Sequence, residues 1–296
     1  MKKITKLIIC FFILCLGIKA QAKELTYYHM FSKNTPTLPR TILIVDNLKQ
    51  EWQVDFRPGL ACSAKTTFDN DKKPAIVEFT SGRYWQSLLE KDHLCDFEIK
   101  DVKWLAYSHL YYNLCVPINS KINNVNDFLM SDSLVFVIPD GSHLDYWRRS
   151  FNKSYNKNFK GIIVANSGAV GRALISGDAD IGFMTSTASE PLEKNNAIKC
   201  LAYGEPNNQK SMSKLFDKIP SILNTTPISQ LFGVKNVTED EYKKIIEIFN
   251  KGQQEAKEKL GDRELVTISN ISNSTAMEAE INKVIFEIYE NIKKQK

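Results

Sequence analysis

The sequence predicts an α/β protein with largely parallel sheets, and three observations carry that prediction. Short runs of β-forming residues alternate with segments of helical apolar spacing along the chain. Such alternation is typical of parallel strands joined by crossover helices. The chain has 296 residues, enough for two hydrophobic cores. Hydrophobic residues make up 43% and charged residues 25%, which excludes a disordered, collagenous or low-complexity protein.

The first 22 residues have the pattern of a secretory signal. Lys2, Lys3 and Lys6 precede an apolar run over 7–18, and Ala20-Gln21-Ala22 follows as a small-x-small cleavage motif. A run of this length is short for a membrane span. We predict export and cleavage after Ala22. An uncleaved anchor helix and a lipoprotein are the alternatives.

The charge balance of the mature chain excludes one class of partner. The signal contains four of the 39 basic residues and no acid, so 35 basic and 34 acidic residues remain. A net charge of +1 gives no electrostatic footprint for nucleic acid.

The cysteines of the mature chain predict disulfides rather than a metal site. An exported protein meets an oxidising compartment, where cysteines can pair. Four cysteines allow three pairings, and their spacing does not choose among them. Because no CxxC or Cys/His cluster has metal-ligand spacing, we predict no metal and no cofactor. The four are Cys62, Cys95, Cys115 and Cys200.

In the first half of the chain, β-forming runs surround two helices. Strands are predicted at 25–30, 53–57, 74–79 and 110–116. Apolar residues at helical spacing predict a helix over 37–50, and a shorter helix is predicted near 83–91.

From residue 124 onward, helices and strands alternate strictly. An Asn or Asp cap begins a helix at 124–130, and Pro139-Asp140-Gly141 ends a buried strand at 133–138. Further strands are predicted at 161–165, 180–183 and 197–203. Helices are predicted from near Ser142, at 169–176 and at 187–194. Residues 204–218 are predicted to form a polar surface segment.

Two capping boxes predict the C-terminal helices. Thr238 to Glu241 begins a helix that runs to about Leu260, and Thr275 to Glu278 begins the terminal helix. We predict that the apolar stripe of the terminal helix packs on the core. The stripe comprises Ile281, Val284, Ile285, Ile288 and Ile292.

Motifs of nucleophilic or metal-dependent catalysis do not occur in the sequence. It contains no GxSxG elbow, HExxH, Walker A or SxxK motif. Ser142, His143 and Asp145 are triad residue types, but proximity in sequence does not create triad geometry. Gly168 and Gly171 form only part of a dinucleotide-binding fingerprint. We predict no enzymatic activity, and an exported hydrolase using Ser142 and His143 stays an alternative.

Five strand ends carry small and hydroxyl residues just before a helix. These junctions offer free backbone N–H groups, where an anion is favoured. In open α/β sheets, ligands bind beyond the carboxyl ends of the strands. We therefore predict a site for a small anion, although helix capping alone explains any single loop. The loops are Ser32-Lys33-Asn34-Thr35, Thr80-Ser81-Gly82, Gly141-Ser142, Asn166-Ser167-Gly168 and Thr185-Ser186-Thr187.

In order and spacing, several segments resemble the Bug-type substrate-binding proteins of tripartite tricarboxylate transporters. Val54 to Gly59 resembles the family segment that ends in Arg-Pro-Gly, and Gly141-Ser142-His143-Leu144 resembles its Gly-Ser helix start. Gly168 to Asp180 is similar to its helix, glycine and Asp-containing strand. Leu231-Phe232-Gly233 matches its Phe-Gly strand. The resemblance covers nearly the whole mature chain.

The resemblance implies a two-lobed periplasmic-binding-protein (Venus flytrap) fold, with two Rossmann-like lobes joined by two hinge strands. Lobe 1 would comprise 23–114 and 202–296, and lobe 2 would comprise 115–201. It also implies a periplasmic monomer that captures a small carboxylate and delivers it to large and small membrane subunits. A sensor that signals to a membrane partner, and an interaction protein that has lost its ligand, are the alternatives.

The resemblance extends the candidate site and suggests one disulfide. Where the family has Gly-Gly and then Asp, this chain has Ser32 to Thr37, in which Lys33 offers a cation to a carboxylate. Because the hinge strands run side by side, Cys115 and Cys200 would pair; two buried free cysteines are the alternative. The candidate ligand-binding residues are Ser32, Lys33, Asn34, Thr35, Ser63, Ser81, Gly82, Gly141, Ser142, His143, Ser167, Gly168, Ala169, Thr185 and Ser186.

Overall fold

Two five-stranded sheets with flanking helices organise the computed structural model. The strands are β1 (Lys23–His29), β2 (Trp52–Pro58), β3 (Ala75–Thr80), β4 (Lys103–Ser108), β5 (Tyr112–Pro117), β6 (Val135–Pro139), β7 (Lys160–Val164), β8 (Ile181–Thr185), β9 (Ile198–Ala202) and β10 (Gln230–Lys235). The helices are α1 (Leu38–Leu48), α2 (Ala61–Asn70), α3 (Val125–Met130), α4 (Leu144–Tyr155), α5 (Ser167–Ser176), α6 (Ser186–Lys194), α7 (Met212–Leu215), α8 (Glu239–Leu260) and α9 (Ser274–Lys293).

The structure describes ten stretches of the chain. The predicted signal segment, the predicted helix at 83–91 and four candidate site residues lie outside them. Those four are Ser32, Lys33, Asn34 and Gly141. The described residues are 23–31, 35, 37–59, 61–82, 101–108, 111–140, 142–220, 223–224, 230–260 and 274–293.

Each sheet is mixed, so the prediction of largely parallel sheets is wrong in part. The first sheet has the order β2-β1-β3-β10-β4, and the second has the order β7-β6-β8-β5-β9. In the first, β10 runs antiparallel to both β3 and β4. In the second, β5 runs antiparallel to both β8 and β9. The strand β10 comes late in the chain, and β5 directly follows the passage of the chain from the first sheet to the second. Neither strand follows a crossover helix from a neighbouring strand, so no βαβ unit makes it parallel.

Each sheet has apolar clusters on both faces and forms one lobe with its helices, which confirms the α/β prediction. We call them the first lobe and the second lobe, in chain order. The second sheet already includes Tyr112, and the predicted lobe boundaries at 114 and 202 stay a prediction. No helix of the described stretches is long and apolar enough to span a membrane.

The terminal helix α9 connects the two lobes. Ile281 is fully buried in a cluster of the first lobe, and Tyr289 packs against the main cluster of the second. Val284, between them, contacts both clusters. The predicted apolar stripe is confirmed at Ile281 and Val284, whereas the side chains of Ile285, Ile288 and Ile292 lie outside the described residues.

Two parts of the chain differ from the sequence prediction. The candidate residue Ser63 lies in the first turn of α2, a helix that the sequence pattern did not predict because its buried side is narrow and gives a weak helical periodicity. The predicted polar segment 204–218 is exposed over most of 205–210 and is wrong at Met212 and Phe216, which are fully buried in the second lobe. Two apolar residues four positions apart anchor this otherwise polar segment.

The capping box at the start of α8 is confirmed. The Thr238 N–H donates to Glu241 Oε2 at 2.8 Å, and the Glu241 N–H donates to Thr238 Oγ1 at 3.3 Å. The reciprocal pair satisfies two backbone donors that the first turn would leave free. The helix then packs its buried side against α1, where Gly252 lies so close to Ile44 that a Cβ would come within 2.8 Å of its Cα.

The disulfide between Cys115 and Cys200 is confirmed. The two residues are direct cross-strand partners on β5 and β9, and both are buried. Cys62 is also disulfide-bonded. We expect non-reducing peptide mapping to find the Cys115–Cys200 linkage, and a peptide pair that joins either residue to Cys62 would contradict it.

Candidate functional site

A cavity of about 70 Å³ lies where the two lobes face each other. Most of its lining residues stand at or just after the carboxyl ends of strands, where open α/β sheets bind ligands. Hydroxyl side chains predominate, with six Ser or Thr residues among the twelve that line the cavity. The first lobe supplies Phe31, Thr35, Thr37 and Thr80. The second supplies Tyr112, Pro139, Asp140, Ala165, Asn166, Ser167, Thr185 and Thr187.

The start of α5 forms one wall of the cavity in the second lobe. Asn166 caps this helix, and its Oδ1 accepts from the Ala169 N–H at 3.0 Å. The Ser167 hydroxyl oxygen accepts from the Thr185 N–H at 3.2 Å and so ties this loop to the end of β8. The first backbone N–H groups of α5 therefore stand beside the cavity, where the helix dipole favours negative charge.

The start of α6 forms the adjacent wall. Thr185 is the N-cap residue, and the Thr187 hydroxyl donates to Thr185 Oγ1 at 3.2 Å. The Ser186 N–H donates to the carbonyl of Tyr111 at 2.9 Å, which holds the turn against the strand beginning at Tyr112. Two helix N-termini of the second lobe thus converge on one small volume.

The first lobe supplies the opposite wall through the residues that precede α1. Thr35 and Thr37 place their hydroxyl oxygens 3.3 Å apart, and the Leu38 N–H donates to the Thr35 carbonyl at 3.1 Å. Thr80, at the end of β3, completes this side together with Phe31. The wall offers hydroxyls at a third helix N-terminus.

Charged side chains are scarce among the described lining residues. Asp140 is the acidic one, and none is basic. Burial raises the pKa of Tyr112 to about 12, so its phenol is a neutral donor at physiological pH. Within the described stretches, no group of three or more His, Cys, Asp and Glu side chains could hold a metal ion. Among the described lining residues, the donors that face an anion are therefore mainly hydroxyl and backbone N–H groups.

The structure brings three of the predicted site residues to the cavity. These are Thr35, Ser167 and Thr185. Gly168, Ala169 and Ser186 lie in the first turns of α5 and α6, one or two positions beyond a lining residue. The role of these residues in ligand binding stays a prediction.

Other predicted site residues are directed elsewhere. The Ser142 hydroxyl donates to the Pro139 carbonyl at 2.7 Å, and His143 Nε2 lies 3.1 Å from the Leu223 carbonyl. Both residues are buried and neither lines the cavity. Ser81 and Gly82 are buried after β3, whereas Ser63 is exposed on α2.

Nine lining residues were not among the candidate ligand-binding residues, and three of the nine, Thr80, Asn166 and Thr187, stand in the predicted anion loops. The other six were missed because most of them offer no hydroxyl before a helix. Five of the six end or follow a strand or precede a helix. A rule that selected every residue at a strand end or helix start, whatever its side chain, would have included them. The six are Phe31, Thr37, Tyr112, Pro139, Asp140 and Ala165.

Gly204, which follows β9, touches the start of β5, where Tyr112 lines the cavity. A Cβ at Gly204 would lie 2.7 Å from the carbonyl oxygen of Tyr112, so only glycine allows this approach. The Gly204 N–H donates to Asn113 Oδ1 at 3.4 Å, and Asn113 Nδ2 donates to Ser189 Oγ on α6 at 2.9 Å. The start of β5 is thus connected to α6, which lines the cavity at Thr187.

Comparison with known proteins identifies the fold. No protein-family model and no curated protein sequence matches the chain. Among solved structures, the periplasmic binding protein BugD is 13% identical, with a TM-score of 0.70, over 92% of this chain and 97% of its own. MatC from Rhodopseudomonas palustris with bound malate is 13% identical, with a TM-score of 0.68, over 91% and 99%.

A third structure, an R. palustris protein with adipate, is 15% identical, with a TM-score of 0.69, over 94% of this chain and 98% of its own. These matches confirm the two-lobed periplasmic-binding-protein fold. They agree with the fold that the Bug-type resemblance implies.

Proposed function

We propose that this chain is a Bug-type solute receptor outside the cytoplasmic membrane, without catalytic activity. It captures a small carboxylate between its lobes and delivers it to the membrane subunits of a tripartite tricarboxylate-type transporter. The observation that carries this proposal is the interlobe cavity, where Ser167 and Thr185 meet Thr35 and Thr37 at converging helix N-termini. Export through the N-terminal segment belongs to the same proposal.

The chemistry of the cavity supports a carboxylate ligand. An ionised carboxylate only accepts hydrogen bonds, and this cavity presents hydroxyls and helix N-termini. Malate and adipate, the molecules bound in two structures of the same fold, are both dicarboxylates. A dicarboxylate could bridge the second-lobe helices and the first-lobe hydroxyls, so that binding favours the closed arrangement.

A thermal-shift screen of the mature chain tests the proposal. The panel comprises di- and tricarboxylates, acidic and neutral amino acids, aromatic acids and phosphonates. A ligand that binds only the folded state raises the melting temperature. We expect a shift confined to one class of carboxylate. A flat screen, on protein shown to be folded and free of carried-over ligand, would favour a sensor or interaction protein instead.

Replacing Thr185 by valine is expected to weaken carboxylate binding about tenfold or more, because a hydrogen bond to a charged group contributes roughly 1.5–3 kcal/mol. Valine keeps the shape of threonine, and Thr185 is buried at the cavity. Isothermal titration with the carboxylate found in the screen measures the change.

The matched control for this prediction is Thr66→Val on α2. The Thr66 hydroxyl donates only to the Cys62 carbonyl at 3.1 Å, on an exposed part of that helix. We expect the control to bind like the unaltered protein. Equal affinities for all three proteins would show that the Thr185 hydroxyl does not contact the ligand.

A further inference from the structure

A carboxylate is buried in the first lobe directly behind the cavity wall. Glu78 on β3 is fully inaccessible to solvent. Its oxygens accept from the Tyr27 hydroxyl at 2.9 Å, from the Thr41 hydroxyl at 2.9 Å and from the Gln230 amide, and His29 Nδ1 lies 2.9 Å away. The partners come from β1, α1 and β10, so one side chain connects four elements of the lobe.

The surroundings of Glu78 keep it ionised. Burial by itself raises the pKa of Glu78, but the coulombic attraction and hydrogen bond of His29, with the charge of Arg40, lower it below the usual glutamate value. Arg40 is itself buried and donates to the Gln230 side chain that donates to Glu78. Burial and the charge of Glu78 raise the pKa of Tyr27 well above its ordinary value, so Tyr27 remains a donor.

Two contacts of Glu78, His29 and Thr41, and Glu78 itself lead along the chain to residues that line the cavity. His29 is two residues before Phe31, and their rings lie 5.0 Å apart. The Thr41 hydroxyl lies within hydrogen-bond distance of two acceptors, the Thr37 carbonyl at 3.2 Å and the Glu78 carboxylate at 2.9 Å. Glu78 itself is two residues before Thr80. Glu78 and its partners therefore adjoin three of the four lining residues of the first lobe, namely Phe31, Thr37 and Thr80.

The arrangement costs stability, which argues for a functional reason. His29 Nε2 is buried and has no hydrogen-bond partner among the described residues. Burying an unpartnered polar atom is unfavourable, and apolar residues of similar volume often replace buried ion pairs without loss. A buried polar network that adds little stability fits a role in selecting one arrangement of the wall.

We propose that Glu78 is a positioning residue for ligand binding. It fixes Phe31, Thr37 and Thr80 in the geometry with which the first lobe closes on the ligand. This inference rests on the proposed function and adds a residue that contacts no ligand. It also makes a structural claim about the free protein, which can be tested even if the proposed ligand class is wrong.

The first test is Glu78→Gln in the mature chain. The amide has nearly the same shape, but its nitrogen cannot accept from Thr41 or Gln230. We expect backbone amide hydrogen exchange of the first turns of α1 and the end of β1 to become at least tenfold faster. Exchange in β8 and α5 of the second lobe should stay unchanged. With malate and adipate as probes, we expect the affinity for the one that binds to fall at least tenfold.

The control is Phe68→Leu, a core change in the same lobe. Phe68 is buried, and its ring centroid lies 5.6 Å from that of Tyr28. Among the described residues, it makes no ring contact or hydrogen bond with Glu78 or its partners Tyr27, His29, Thr41 and Gln230. It should lower the melting temperature while leaving affinity and local exchange at the wall unchanged. If it weakened binding as much as Glu78→Gln at equal loss of stability, the positioning role would be refuted.

A milder variant, Tyr27→Phe, guards against failure of Glu78→Gln to fold. It removes one donor from Glu78 and keeps the ring. We expect a smaller change in exchange at the same amides. Unchanged exchange at the wall in the folded variants would overturn the inference. If the unaltered protein bound neither probe, the proposed carboxylate class would fail, and the exchange data would still decide the role of Glu78.

Discussion

Removing the disulfide between Cys115 and Cys200 is expected to lower the free energy of unfolding by about 4 kcal/mol and the melting temperature by roughly 10 °C. The two cysteines are 85 residues apart in sequence, so the bond closes a long loop of the unfolded chain. Both sulfurs also lie in a buried apolar cluster with Val137 and Val170, where smaller side chains would leave space.

Urea unfolding of the double variant Cys115→Ala/Cys200→Ala measures this loss. The matched control is Met184→Leu, a change of similar volume in the same cluster that leaves the disulfide intact. We expect the control to lose less than about 1.5 kcal/mol. A double variant as stable as the control would show that the bond adds nothing beyond packing.

Acidification from pH 7 to pH 5 is expected to cost the protein about 2 kcal/mol through His143 alone. Burial lowers the pKa of His143 to about 4, and the hydrogen bond to the Leu223 carbonyl only partly opposes this effect. In the unfolded chain the imidazole takes up its proton near pH 6.5. Protonation therefore favours unfolding as the pH falls from about 6.5 towards 4.

The variant His143→Gln isolates this contribution. Glutamine can still donate to Leu223 but does not titrate, so its free energy of unfolding should fall less between pH 7 and pH 5. The difference between the two proteins should be about 2 kcal/mol. Glu78 does not disturb this comparison. Because its pKa is lowered, its contribution to the free energy of unfolding is lost only below pH 4.5, and it is present in both proteins. Parallel pH profiles would mean that the folded state does not lower the pKa of His143.

The order of helices and strands could be predicted because local signals agree with the fold. The reciprocal bonds of Thr238 and Glu241 depend only on neighbouring residues, and the sequence shows them directly. The burial of Met212 and Phe216 depends on contacts with residues distant in sequence. The polar residues around them therefore predicted an exposed segment. Strand direction likewise depends on which strands become neighbours, as with β10 between β3 and β4.

The cavity could be predicted in part for the same reason. Ser167 and Thr185 have the local pattern of hydroxyls at a helix start, and the structure brings them together. The Glu78 network could not be predicted, because His29, Thr41 and Gln230 are each far from Glu78 in sequence. The available signal was an acidic residue within the apolar strand 75–80, which requires buried partners.

The path of α9 across both cores has a practical consequence for observing lobe movement. Ile281 is fixed to the first lobe and Tyr289 to the second, with Val284 between the two clusters. A rotation of one lobe on the other must therefore bend this helix near Val284 or separate one end from its cluster. A fluorescent reporter fused after α9 would follow the end of the helix that packs on the second lobe, so we expect its emission to register ligand capture without any label in the cavity.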